Sequence, residues 1–146
     1  MNSDFCVAVH GLVYLNHKAC VLSSEELADN ICTNPVRVRK VMAKLKKAGM
    51  VETREGTEGG YRICKAPGEV SLAQVADALE VCFVSTNWSS GNIDKPCLVS
   101  SGMAAIMGGI FRQLDESCRQ RLEQITIADI DGYIFGANKQ QTTKGA

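Results

Sequence analysis

Nine basic side chains fall within residues 33–65: Arg37, Arg39, Lys40, Lys44, Lys46, Lys47, Arg54, Arg62 and Lys65. Only Glu52, Glu55 and Glu58 oppose them there. Arg37, Lys40, Lys44 and Lys47 recur at i, i+3, i+7 and i+10, which gathers them on one side of a helix. Val38, Val41, Met42 and Leu45 recur at helical spacing roughly 130° away. Such a helix docks its apolar face on a core and offers cations to phosphates and base edges. The bland alternative is a solvated face, because a charge stripe alone is weak evidence. Asn34 is placed to cap the helix, and Pro35 suits its first position, where the missing N–H costs nothing. Only the first turns of a recognition helix usually reach bases. Asn34, Val36, Arg37 and Lys40 are therefore the candidate base readers, and Arg39 joins the DNA-contact set. Lys44 and Lys47 either hold phosphate or complement the negative end of the helix dipole.

A second DNA-reading feature follows. Gly49 is a left-handed helix stop. Residues 50–54 and 61–64 read as two strands joined by the turn chemistry of Glu55–Gly60. Arg54 and Arg62 flank a Gly-rich tip around Gly56, and a narrow minor groove attracts arginine. Glu55 and Glu58 work against this, unless Glu58 pairs with Arg62. Tyr61 reads as core.

The thiols and imidazoles offer weaker chemistry. Cys6 and His10 stand at i, i+4, with His17 two turns on, which is metal-compatible spacing. Packing on an amphipathic helix is the preferred reading, and no metal site is assigned. Cys32 precedes the basic helix, near its positive end, where a thiolate would be stabilised. It also continues the apolar run of Ile31, and a core thiol is preferred. Cys82 and Cys97 bracket a loop and would form a redox pair only at disulfide distance. There is no CxxC pair, Ser/His/Asp set or phosphate loop in the sequence, so an enzyme is not expected.

These residues need a scaffold. Apolar spacing predicts a helix over 4–18, with Ser3 as its cap and Phe5, Val9, Leu12 and Leu15 facing inward. Ser23 and Glu26 form a capping-box pattern ahead of a helix over 24–31. After Pro67-Gly68 a helix runs from Leu72 to about Leu79. Residues 82–96 form a Ser/Asn/Gly-rich loop. A long helix starts near Leu98, with Met103, Ile106, Met107, Ile110 and Leu114 along one seam. Phe111, Cys118, Leu122 and Ile125 extend it. Gly102, Ala105 and Gly109 would allow close helix approach. Gly108-Gly109 breaks the helix in the alternative, and a long helix, straight or bent there, is preferred. A short helix begins near Thr126. The fold class is mainly α with a small β-hairpin. A winged helix-turn-helix domain fills 1–81 and dimerisation helices fill 97–135. The tail 136–146 has too little apolar content to pack.

Length and charge bound the rest. The chain has 146 residues, enough for one domain and a helical appendage. Sixteen Lys and Arg balance sixteen Asp and Glu. This excludes a basic or acidic tail, but it hides an asymmetry: +3 over residues 1–66 and −3 over 67–146. The longest uncharged run, Pro96–Phe111, is too short to span a bilayer. Asp4 and the missing basic stretch argue against a secretion signal, so a cytoplasmic protein with reduced thiols is expected.

The stretch 22–80 resembles the winged-helix region of the Rrf-two (BadM-type) bacterial transcription regulators. The telling pieces are L-K-K-A-G-M-V at 45–51, R-x-G-x-x-G-G-Y at 54–61 and the S-L-x-x-V run at 71–75. The Cys97-Leu98 helix start and I-T-I-A-D-I at 125–130 also fit, so the likeness covers about residues 3–131. It implies a homodimer whose long helix dimerises and whose wings and recognition helices read a pseudo-palindromic site on double-stranded DNA. Some members hold an iron–sulfur cluster through three close cysteines in the loop before that helix. Here only Cys82 and Cys97 stand there, and Ser100 replaces a histidine that some members carry. No cofactor is therefore expected. The expected function is a dimeric DNA-binding regulator, a repressor, with an unassigned small-molecule or protein effector and no membrane. The alternatives are a winged-helix protein-interaction module, suggested by the zero net charge, and a thiol-based redox regulator.

Overall fold

The computed structural model describes residues 2–136. The tail expected to stay unpacked lies outside these residues from 137 onward. The described elements, in order, are α1 Asn2–Lys18, α2 Ser24–Ile31, α3 Pro35–Lys47, β1 Val51–Arg54, β2 Gly60–Ile63, α4 Leu72–Ala78, α5 Leu98–Glu123 and α6 Ile127–Asp131. A 3-10 turn covers Pro67–Glu69 and a π turn covers Gly132–Gly136. β1 and β2 pair antiparallel, from Val51 opposite Ile63 to Arg54 opposite Gly60. The mainly helical class with one hairpin is as the sequence implies.

The core lies where α1, α2, α3, α4 and α6 meet. Leu12, Leu15, Leu27, Val38, Met42, Leu45, Val75 and Ile127 are fully buried. Removing each such side chain from water contributes about 1.5–3 kcal/mol, so this cluster fixes the attitude of α3. All four apolar residues expected on the inner face of α3 are buried. On α1 the inner face is Val7, Ala8, Leu12 and Leu15, while Phe5 and Val9 lie at its edge.

Helix ends follow local chemistry. Ser23 and Glu26 form the expected reciprocal box, with Ser23 Oγ accepting from Glu26 N–H at 3.1 Å and Glu26 accepting from Ser23 N–H at 2.8 Å. Ser71 with Gln74 and Thr126 with Asp129 repeat the device at α4 and α6. Ser3 does not cap α1; the helix already includes Asn2 and Ser3 lies within it. Cys32 is not a core thiol. It ends α2 in the left-handed conformation, φ 62°, which turns it out of the apolar face and leaves it exposed. Gly49, φ 77°, takes the left-handed stop after α3, with Met50 N–H closing on Leu45 C=O at 3.0 Å.

α5 runs unbroken through Gly108 and Gly109, and none of its 26 residues is buried. Its far end returns to the core. Leu72 N–H donates to Ile125 C=O at 2.8 Å and Ile127 N–H to Val70 C=O at 3.0 Å. Leu122 and Ile125 pack on the core, and Arg119 pairs with Asp77 of α4. The loop 82–96 is tied to the same helix. Phe83 and Val84 N–H donate to Asp115 Oδ1 at 2.8 and 3.0 Å, and Asn92 N–H donates to Ser100 C=O at 3.0 Å. Among the described residues no helix is long and apolar enough to cross a membrane.

Candidate nucleic-acid interface

α3 is built from its first residue outward. Asn34 Oδ1 accepts from Val36 N–H at 2.7 Å, which satisfies one of the donors a helix start leaves open. Pro35 occupies the first turn as expected. With the inner face buried, Asn34, Val36, Arg39, Lys40 and Lys44 are exposed and Arg37 is half-buried. Val36 keeps 51% of its surface in water, unusual for an apolar residue at a helix start.

The cations of this region divide into engaged and free. Arg37 Nε lies 2.7 Å from Asp4 Oδ1 of α1. Arg39 donates to Ser24 Oγ at 3.0 Å and lies 3.5 Å from Glu25. The Glu25 carboxyl is held below its usual range, first by its own backbone N–H at the start of α2, then by Ser24 and Arg39. Lys46 Nζ donates to Thr53 Oγ1 at 2.9 Å and links α3 to the hairpin. Arg62 pairs with Glu52, its register partner across the hairpin, and not with Glu58. The cross-strand position brings Glu52 and Arg62 side by side. Among the described residues Lys40, Lys44 and Arg54 form no ion pair.

The glycines explain the wing. Gly56 has φ 113°, a conformation that side chains rarely adopt. A side chain at Gly59 would strike the Arg54 carbonyl, and one at Gly60 the Leu22 carbonyl. That close passage lets Tyr61 and Leu22 exchange backbone hydrogen bonds at 2.8 and 3.0 Å. The hairpin is thus pinned to the turn between α1 and α2. Tyr61 is partly buried against the core, and burial raises its phenol pKa.

The remaining candidates lie apart from this face. The seam residues Ile106, Met107, Ile110 and Leu114 are exposed, and Met103 is half-buried. All seven cysteines are free thiols. Cys82 Sγ donates to Val84 C=O at 3.5 Å. Cys97 caps α5 in position only, and the N–H groups of Ser100 and then Val99 hold its thiol below the usual range. Asp4, Ser24, Glu25 and Asp115 were not marked by the sequence as site residues. Their partners lie 14 to 33 positions away, and no local pattern reports such pairs.

A capped basic helix beside a pinned glycine-rich hairpin is the geometry of a winged helix-turn-helix. Residues 1–131 match the family model Rrf2, described as an iron-dependent transcriptional regulator. The chain belongs to the Rrf2 family. This Rrf2 chain is 29% identical over 140 residues to YwnA of Bacillus subtilis, provisionally named an HTH-type transcriptional regulator; the match covers 92% of this chain and 99% of YwnA. It is 26% identical to the HTH-type transcriptional regulator NsrR of Shouchella clausii, over 88% of this chain and 84% of that one. A Lactobacillus plantarum crystal structure, provisionally described as a transcriptional regulator, superposes with TM-score 0.81 at 26% identity and full coverage of both chains. The cysteine regulator CymR of B. subtilis shares the fold, with TM-score 0.66 at 15% identity over 91% of this chain and 96% of CymR.

The family description raises the question of iron. An iron–sulfur cluster needs about four good ligands, typically thiolates. The segment 82–97 supplies Cys82 and Cys97, with no third thiol between them. That donor set does not fit a cluster.

Proposed function

We propose that two copies of this Rrf2 chain bind a pseudo-palindromic site on double-stranded DNA and repress transcription from it. The cap and first turns of α3 read base edges through Asn34, Val36, Arg37 and Lys40, and Arg39 joins the DNA contact. Lys44 holds phosphate, and the wing carries Arg54, Gly56 and Arg62 to the minor groove. The observation that carries this reading is the division of α3. Its inner face of Val38, Val41, Met42 and Leu45 is buried while Val36, Lys40 and Lys44 stay free in solvent, next to a hairpin fixed by Gly60 and Tyr61. The second copy docks along Met103, Ile106, Met107, Ile110 and Leu114, since an apolar seam without a partner costs about 25 cal/mol for each Å² left in water. The function needs no metal cofactor, and we place the protein in the cytoplasm. The effector is a small molecule or a protein.

A mobility shift with the upstream region of its own gene at low salt tests this. A shifted complex that weakens in Arg37→Ala is expected. No shift, or one indifferent to Arg37→Ala, overturns base reading. A protein-interaction role is the second reading, favoured by Trp88 and Ile93 of the loop, which are 73% and 83% exposed. A protein partner that stays bound after nuclease treatment would favour it.

A further inference from the structure

A cleft of about 700 Å³ opens between α1, α6 and the turn Gly132–Gly136. Small-molecule sites commonly span about 300–1,000 Å³. Its walls are Phe5, Val9 and Val13 of α1 with Leu72, Ile130 and Phe135. Phe135 stacks on His17, with ring centroids 4.2 Å apart and planes 14° from parallel. Polar groups join this lining: His10 Nε2 lies 2.8 Å from Asn30 Oδ1, and Lys18 Nζ is 5.8 Å from the Tyr14 ring centre. Among the described residues two imidazoles, an ammonium, an amide, a phenol and a thiol line this cleft, and no carboxylate does. An apolar slot with that charge balance suits an anionic head on an apolar ring and penalises a cation.

We propose that this cleft binds a small aromatic acid, a carboxylate or sulfonate. Its ring lies against the apolar wall of Phe5, Val9, Val13 and Ile130, and its anionic head meets Lys18 and His17. Two other occupants fit less well. Residues 137–146 contain no large apolar side chain. The α5 seam, which carries the apolar surface for a second copy, contributes no residue to the cleft. A ligand here would act on DNA binding, and this clause alone rests on the function proposed above. α1 carries Asp4, the partner of Arg37, and Asn30 lies on α2 just ahead of the recognition helix.

The test uses the full chain without DNA. The probe is 8-anilinonaphthalene-1-sulfonate, an aromatic sulfonate that fluoresces when its rings leave water. Saturable binding is expected, displaced by salicylate and not by the cation benzylamine. Lys18→Gln should weaken it about tenfold, the loss a single charge-assisted contact carries. Cys6→Trp, from an exposed position on the cleft wall, should weaken it at least as much. Lys95→Gln, which does not line the cleft, should leave it unchanged. Binding as tight as the parent chain's in both Lys18→Gln and Cys6→Trp overturns the proposal, as does displacement by benzylamine as readily as by salicylate. If Cys6→Trp fails to fold by circular dichroism, the surface change Lys18→Gln decides. Because DNA is absent, a failure here leaves the DNA reading standing, and a failed mobility shift leaves the cleft standing.

Discussion

Asp4 in the first turn of α1 holds the Arg37 guanidinium of the recognition helix, Nε to Oδ1 at 2.7 Å. Both side chains are partly exposed, so the pair is worth at most about 1 kcal/mol. Phosphates and base edges can therefore compete for Arg37. Asp4→Asn should release the arginine and remove a negative charge from the DNA-facing side. Affinity for random-sequence DNA should rise several-fold, and the log–log salt slope should steepen by about 0.9. Fluorescence anisotropy across a salt series checks this; an unchanged slope would show that the released Arg37 adds no phosphate contact.

Arg37 and Lys44 should fail differently. Lys44→Ala should weaken operator and random DNA alike and reduce the salt slope by about 0.9. Arg37→Ala should cost about 1–3 kcal/mol on the operator and much less elsewhere. Equal losses on both DNAs would assign Arg37 to phosphate.

Gly60→Ala pushes a methyl group into the Leu22 carbonyl, a rigid backbone neighbour. It should cost about 1–3 kcal/mol, as overpacking does. Gly68→Ala meets open space and should change stability by less than about 0.5 kcal/mol. Urea melts of the two variants, compared at equal slope, give the difference.

Ile106, Ile110 and Leu114 are 60%, 41% and 48% exposed on α5. If two copies pair along this seam as proposed, Ile110→Glu should leave a monomer in light scattering and abolish operator binding. A wild-type monomer at all concentrations would refute dimerisation along this seam.

Asp115 accepts the N–H groups of Phe83 and Val84, and Val84 N–H is the main reason its carboxyl sits below the usual range. A lowered folded pKa contributes stability that is complete above the ordinary aspartate pKa of about 4. It is lost as pH falls through the lowered value. Asp115→Ala should speed amide exchange at Phe83 and Val84 at neutral pH. In the parent chain the same amides should loosen only in acid.

Much of this architecture was legible in the sequence because it is local. Asn34-Pro35, the Val38–Leu45 spacing and the Gly49 stop each act within a few residues, and α3 forms as they predict. Cys32 was misread because a run of apolar letters does not reveal a left-handed turn. Glu52–Arg62 escaped because the pairing depends on hairpin register, which the six turn residues left open. Asp4–Arg37 and Asp115 with Phe83 join segments that only the folded core brings together. The glycines at 59 and 60 marked a turn in the sequence; their role against Arg54 and Leu22 needed the neighbouring backbone.

The anchoring of α5 at one end has a consequence for the operator. The apolar seam ends at Leu114, and apolar packing on the domain core begins at Leu122, beyond the polar ties of Asp115 and Arg119. Between them lies a rigid spacer of about 12 Å at the helical rise. In a dimer sealed along the seam, this spacer works as a ruler between the symmetry axis and each reading head. Adding four residues would lengthen it by about 6 Å and turn each head by about 40°. The distance between half-sites is then written in the length of a helix that touches no base.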